Sequence, residues 1–112
     1  MAYDEALADR IREMVGGDPL VTEQKMFGGL AFLIGGNMAV GASGQGGLLV
    51  RVDPIKFHEL VATPAARPME MRGRSMKGWL RVDSDHARTR EQLAMWVDLG
   101  TSYARSLPAR RK

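Results

Sequence analysis

The sequence predicts an α+β domain with a single antiparallel five-stranded sheet and three helices, in the order α-β-β-β-α-β-β-α. Short apolar runs separated by glycine clusters fill residues 25–53, and eight of the 13 glycines lie between Gly28 and Gly47. Segments with the apolar spacing of helices lie before and after this stretch. The strands are expected to be antiparallel because short glycine turns reverse the chain.

Length and composition indicate one soluble globular domain, residues 1–112. The 112 residues are 45% apolar and 26% charged, which is typical of a chain that buries about two-thirds of its surface. No apolar run reaches the roughly 20 residues of a membrane span, and the acidic N-terminus lacks a secretory pattern. With no cysteine, disulfides and thiol catalysis are excluded. We expect a cytoplasmic protein without membrane contact.

Three segments have the spacing of amphipathic helices. Asp4, Asp53 and Thr89 stand where N-cap residues are expected, and Pro54 suits the first turn of the second helix. Thr89 and Gln92 fit a capping box. The predicted helices cover residues 3–15, 54–62 and 89–107.

Five segments are predicted to be strands: 25–34, 38–42, 48–52, 68–72 and 76–82. Glycines supply the predicted turns at residues 35–36 or 36–37, at 44–47 and at 73–75. Gly28 and Gly29 are costly inside the first strand, so they indicate a bulge or the close approach of another backbone. Pro68 indicates an edge strand or the start of a strand, because the missing N–H of proline is tolerated at both positions.

Charge is divided unevenly along the chain. Residues 1–65 carry five Lys or Arg and eight Asp or Glu, and residues 66–112 carry eleven and five, so net charges of −3 and +6 give the total of +3. This asymmetry indicates either a polyanionic partner or a solvated surface. Residues 105–112 form a predicted basic tail. The candidate nucleic-acid contacts, near which Arg67 also lies, are Arg72, Arg74, Lys77, Arg81, Arg110, Arg111 and Lys112.

No pattern of catalytic residues is recognisable. The glycine clusters lie between strands, match neither a dinucleotide-binding nor a P-loop motif, and surround no nucleophile elbow. Asp83, Asp85 and His86 could offer metal ligands, but so short a segment is better explained as the turn before the last helix. We expect no enzyme activity, no catalytic residue, no metal and no cofactor.

The predicted strands are rich in methionine, at Met26, Met38, Met69, Met71 and Met76. Methionine fills irregular cores and also suits adaptable binding surfaces. Five strands leave two sheet edges that favour sheet extension or dimer formation. The sequence therefore predicts a protein partner or a homodimer, with direct DNA contact through the basic hairpin and tail as the alternative.

Several of these residues carry a resemblance to a known family. The chain resembles the N-terminal domain of the TfoX/Sxy family in Lys25-Met26-Phe27-Gly28-Gly29, then Gly36-Asn37-Met38, then Leu49-Val50-Arg51-Val52-Asp53, and then a Trp79 strand and a Trp96 helix. The resemblance implies an α+β fold of the kind found in secretion chaperones. It also implies kinship with regulators of bacterial natural competence, and it supplies no catalytic residues. We interpret the shared motif residues, Lys25 to Gly29 with Arg51 and Asp53, as structural.

Overall fold

The computed structural model describes residues 3–26, 28–44, 46–71 and 73–108, and for Met71 and Ser75 only the backbone. Within this part of the chain, three helices accompany one antiparallel sheet, as predicted. The helices are α1 (Glu5–Val15), α2 (Pro54–Val61) and α3 (Arg90–Ser106). The strands are β1 (Val21–Met26), β2 (Gly29–Ile34), β3 (Asn37–Ala42), β4 (Leu48–Arg51), β5 (Ala66–Met71) and β6 (Arg74–Val82).

The described sheet has six strands rather than the predicted five, in the spatial order β1-β2-β3-β4-β6-β5. The single strand predicted over residues 25–34 is two antiparallel strands, since β1 ends at Met26, β2 begins at Gly29, and Gly28 before β2 has φ +74°. The prediction was wrong because the apolar run continues through the turn and conceals it. The turn predicted at 73–75 likewise lies earlier, since β5 ends at Met71 and β6 already begins at Arg74. The edge strands are β1 and β5, and Pro68 lies in β5 as its position predicted.

Gly29 allows two backbones to approach closely. A Cβ atom at this position would lie 2.1 Å from the backbone oxygen of Ala42 and 2.9 Å from the backbone nitrogen of Gly44. Real side chains do not occupy such a space. The predicted close approach at Gly29 is therefore confirmed, next to a reversal of the chain rather than inside a continuous strand.

The helices begin at the predicted caps. Asp4 accepts a hydrogen bond from the N–H of Leu7, and Thr89 and Gln92 form the complete capping box. All three helices contribute side chains to one large apolar core on the same face of the sheet. The largest fully buried side chains there include Trp96 of α3 and Phe32 of β2. In the described residues, no helix is both long enough and apolar enough to cross a bilayer.

Helix α3 lies directly against a bulge in β3. The register between β2 and β3 shifts so that Phe32 pairs with Val40 while Leu33 pairs with Met38, which leaves Ala39 as the extra residue. At Gly100 an added Cβ would lie 2.3 Å from the backbone oxygen of Ala39. The absence of a side chain at position 100 therefore sets the distance between helix and sheet.

Candidate interaction surface

A second apolar cluster lies on the face of the sheet away from the helices, which we call the open face. Its buried members are strand side chains that are 2–8% exposed: Ala31, Leu33, Met38, Leu49 and Met69. Three partly exposed strand residues pack against them: Met26, Met76 and Trp79. Within the described chain, no helix residue belongs to this cluster. The side chains of the open face therefore shield one another without a covering layer.

The β5–β6 hairpin extends beyond its neighbour β4 as an arm, of which the structure describes residues 69–71 and 73–76. Strand β4 pairs with β6 only as far as Trp79, whereas β5 and β6 stay paired out to Met71 and Arg74. A register shift between Pro68 and Met69 changes the direction of the arm. Met69 is buried in the second cluster and Met76 packs against it, so the arm contributes side chains to the open face.

Arg51, at the end of β4, lies between two aromatic rings. Its guanidinium carbon is 5.3 Å from the ring centroid of Trp79 and 5.6 Å from that of Tyr103. The pairing of β3 with β4 extends only to Val40 and Val50, one residue before Arg51. The two strands separate there, and the side chain of Arg51 reaches Tyr103 on α3. Arg51 therefore connects β6 to α3 at the border of the open face, which supports a structural interpretation of this motif residue.

The other part of the family motif forms the β1–β2 reversal. Lys25 is exposed on β1, and Met26 packs against the second cluster. Gly28 supplies the positive φ of the turn, and Gly29 allows the backbone contact described above. Phe27 lies outside the described residues. The motif thus specifies a tight turn at one corner of the open face.

Asp53 begins α2 at the mouth of a cleft between α2 and α3. Its Oδ1 accepts a hydrogen bond from the N–H of Ile55 at 2.9 Å. The cleft has a volume of about 400 Å³, and its lining includes Val52, Lys56, Met95, Leu99, Ser102 and Tyr103. Ile55 is 85% exposed on α2 and Met95 is 49% exposed on α3. This cleft is the second apolar surface that could receive a partner.

The predicted nucleic-acid contacts are brought together only in part. The strand register places Arg74 and Arg81 on the open face, and Arg81 Nη2 donates to the backbone oxygen of Gly46 at 3.5 Å. Lys77 is exposed on the same strand. The remaining predicted contacts lie outside the described residues: Arg72, Arg110, Arg111 and Lys112.

The beginning of the predicted basic tail is part of helix α3, since the helix extends through Ser106. Arg105 forms an ion pair with Asp18 in the α1–β1 connection. The hydrogen bond from Arg105, supported by the backbone N–H of Leu20, lowers the pKa of Asp18. Arg105 therefore anchors the end of α3 to the body of the domain.

A second ion pair joins α1 to the edge strand on the helix side of the sheet. Arg12 donates to both carboxylate oxygens of Glu23, at 2.6 and 2.8 Å, and to Asp9 at 2.5 Å. The hydrogen bond from Arg12 lowers the pKa of Glu23, and the same bond raises the pKa of Arg12. These side chains are exposed, so the cluster adds little to stability.

The segment from Asp83 to His86 forms the predicted turn before the last helix. Residues 84–87 are a single 3₁₀ turn, and the backbone oxygen of His86 accepts a hydrogen bond from Trp96 Nε1 at 3.1 Å. Over the described ranges, no group of three or more His, Asp or Glu side chains could hold a metal ion.

Sequence reasoning did not find two features of the open face. It did not place Arg51 between Trp79 and Tyr103, and it did not place Arg67 opposite Arg81 on paired strands. The alternation of side chains along the strands was the available signal. It could not be used without the register, because a shift of one residue exchanges the two faces.

Comparison with protein families gives a match to the family described as TfoX N-terminal domain over residues 11–104. No curated protein and no solved structure matches the chain significantly. The matched range contains every strand of the described sheet, and therefore the whole open face.

Proposed function

The chain belongs to the TfoX N-terminal domain family, and from this premise we propose that it is a non-enzymatic regulatory domain that binds a protein partner through the open face. A role in transcriptional regulation, as in the competence regulators, is part of this proposal. The observation that carries it is the second apolar cluster, which lacks any helix residue in the described chain. Its partly exposed members, Met26, Met76 and Trp79, keep apolar surface in water, and an exposed apolar patch marks interaction sites.

The side chains at the margin of the cluster suit partner binding. Met26 and Met76 are partly exposed, and methionine repacks readily against different apolar surfaces. Trp79 is partly exposed near the arm, and tryptophan is enriched among the residues that dominate binding energies. A partner that covers these three residues would exclude water from surface that the free domain leaves wet.

The edges of the sheet favour a different partner over a second copy. Residues 22–25 of β1 are exposed and read Thr-Glu-Gln-Lys, and β5 contains Pro68. Charged side chains and proline both discourage edge-to-edge pairing. The homodimer expected from the sequence stays a prediction, which sedimentation velocity would test through a doubled mass.

The proposal is tested by quantitative affinity capture with three forms of the protein: wild type, Met76→Glu on the open face and Ile55→Glu on the helix layer. Both substitutions place one carboxylate on an apolar surface position, so they are matched in charge. We expect a set of proteins retained by wild type and Ile55→Glu and lost with Met76→Glu. Loss with Ile55→Glu alone would assign partner binding to the exposed surface of the helix layer and would contradict the proposal.

A second candidate function is direct, sequence-independent DNA binding. It is favoured by the shared face of Arg67, Arg74 and Arg81, because arginines reach phosphates bidentately and bind with strong salt dependence. Fluorescence anisotropy of labelled duplex DNA across a salt series tests this function. Binding that falls with salt and is lost in an Arg74→Ala/Lys77→Ala variant would support it over the protein-partner function.

A further inference from the structure

Arginine side chains flank the apolar centre of the open face on its β4-β6-β5 side. Directly paired residues of an antiparallel sheet lie on the same face. Leu49 of the second cluster pairs with Arg81, and Arg81 pairs with Arg67 on its other side. Arg74 joins them through the arm, because its pair with Met71 lies two residues beyond the pair of Met69 with Met76. Arg51 stands at the border of the same face.

The strand carboxylates of the described chain lie on the opposite face. Glu23 pairs with Phe32 of the main core and is bound by Arg12 of α1. Glu70 alternates with Met69 and so faces away from the second cluster. The acidic neighbour of the open face is Asp83, directly after β6. The described strands thus present a face that is apolar at its centre, cationic along its β4-β6-β5 side and uncharged along β1 at Thr22 and Gln24.

The ion pair that Asp83 makes is easily exchanged. Arg67 Nη2 lies 2.5 Å from Asp83 Oδ1, and the two side chains are 59% and 55% exposed. Exposed pairs of this kind contribute little and are screened by salt. A carboxylate from a partner could therefore take the place of Asp83 at little cost. Arg74 is exposed at the tip of the arm and offers a second guanidinium to the same partner.

We infer that the open face binds an acidic amphipathic protein segment, an inference that rests on the proposed function of partner binding. Apolar side chains of the segment would cover Met26, Met76 and Trp79. Its carboxylates would meet Arg67 and Arg74 in charge-assisted hydrogen bonds, which give specificity and fast association.

Two other occupants fit the observations less well. A second copy docked through the same face in a twofold dimer would bring two sets of these arginines into one interface, since both subunits use the same patch. A nucleic acid would satisfy the arginines through its phosphates but would leave the methionines and Trp79 without apolar contacts. Charge and apolar burial together therefore favour an acidic protein segment.

The test is selection of a random peptide library on the full chain, with counter-selection on an Arg67→Ala/Arg74→Ala variant. The matched control is Arg88→Ala/Arg90→Ala, which removes two exposed arginines from the helix side and leaves the same net charge. We expect the selected peptides to combine Asp and Glu with regularly spaced apolar residues. Their affinity should fall about tenfold or more in the open-face variant and stay near the wild-type value in the control.

Neutral or basic peptides from the selection, no enriched peptides, or equal weakening by the two double variants would overturn the inference. Tighter binding of labelled duplex DNA than of the selected peptides, lost in the open-face variant, would also overturn it in favour of nucleic acid. If these results accompanied a partner captured by wild type and lost with Met76→Glu, the proposed function would stand and the acidic chemistry alone would fail. If Met76→Glu lost no captured protein, the proposed function itself would fail.

Discussion

Replacing Gly100 by alanine should destabilise the domain, although the same change in an ordinary helix stabilises it. Alanine is about 1 kcal/mol better than glycine in a helix interior. Here the new Cβ would lie 2.3 Å from the oxygen and 2.9 Å from the carbon of the Ala39 carbonyl, both backbone atoms. A rotamer change cannot relieve this contact, so α3 must move away from the sheet. Overpacking of this kind costs about 1–3 kcal/mol. Taking the upper value of about 3 kcal/mol and subtracting the gain of about 1 kcal/mol in helix propensity leaves a net destabilisation of about 2 kcal/mol.

Thermal unfolding followed by circular dichroism measures this loss. For a domain of this size, about 2 kcal/mol corresponds to a decrease of roughly 10 °C in Tm. Gly17→Ala is the matched control, because an added Cβ at Gly17 would meet no atom within 4 Å. That variant should change stability by no more than about 1 kcal/mol, in the stabilising direction. A Tm for Gly100→Ala equal to or above that of wild type would refute the account of how α3 packs on β3.

Three further substitutions test single interactions. Asp53→Ala should lower the free energy of unfolding in urea by about 1 kcal/mol, because the N–H of Ile55 loses its acceptor. Asp53→Asn should retain most of the wild-type stability, because asparagine is an equally good N-cap residue. Asp18→Asn should flatten the acid side of the stability profile. Arg105 lowers the folded-state pKa of Asp18. The stability that ionised Asp18 adds to the fold is therefore complete above about pH 4 and is lost as pH falls through the lowered pKa. A steeper acid slope in the variant would contradict the assignment. Arg51→Lys keeps the charge but lacks the planar guanidinium that contacts the Trp79 and Tyr103 rings, so it should lower Tm and change tryptophan fluorescence. Unchanged tryptophan emission would show that the contact between Arg51 and Trp79 is absent.

The helices could be predicted closely from the sequence because their signals are local. A cap such as Asp4 or Thr89 satisfies N–H groups within one turn of itself, so a few neighbouring residues decide where each helix begins. Gly28 and Gly29 were recognised as anomalous inside a predicted strand, because this signal is also local. Their geometric role was not recognised, because a bulge and a reversal make similar demands on glycine.

The composition of the open face could not be predicted, because it depends on pairing between distant segments. The methionines at positions 26, 38, 69 and 76 were recognised as suited to a core or to a binding surface. Their assembly into one cluster depends on the register of six strands and on the direction of the arm. Arg51 illustrates the same limit, since Trp79 and Tyr103 are far from it in sequence and reach it from two different elements.

The sequence by itself determined the α+β class, the three helices with their caps, the edge position of Pro68 and the resemblance to the TfoX N-terminal family. Each of these depends on residues close together in the chain. The tertiary structure alone decided which face of the sheet the helices cover and which side chains remain on the other. The physical reason is that strand register and helix docking are chosen by the burial of the whole core, with α3 admitted against Ala39 only because position 100 has no side chain.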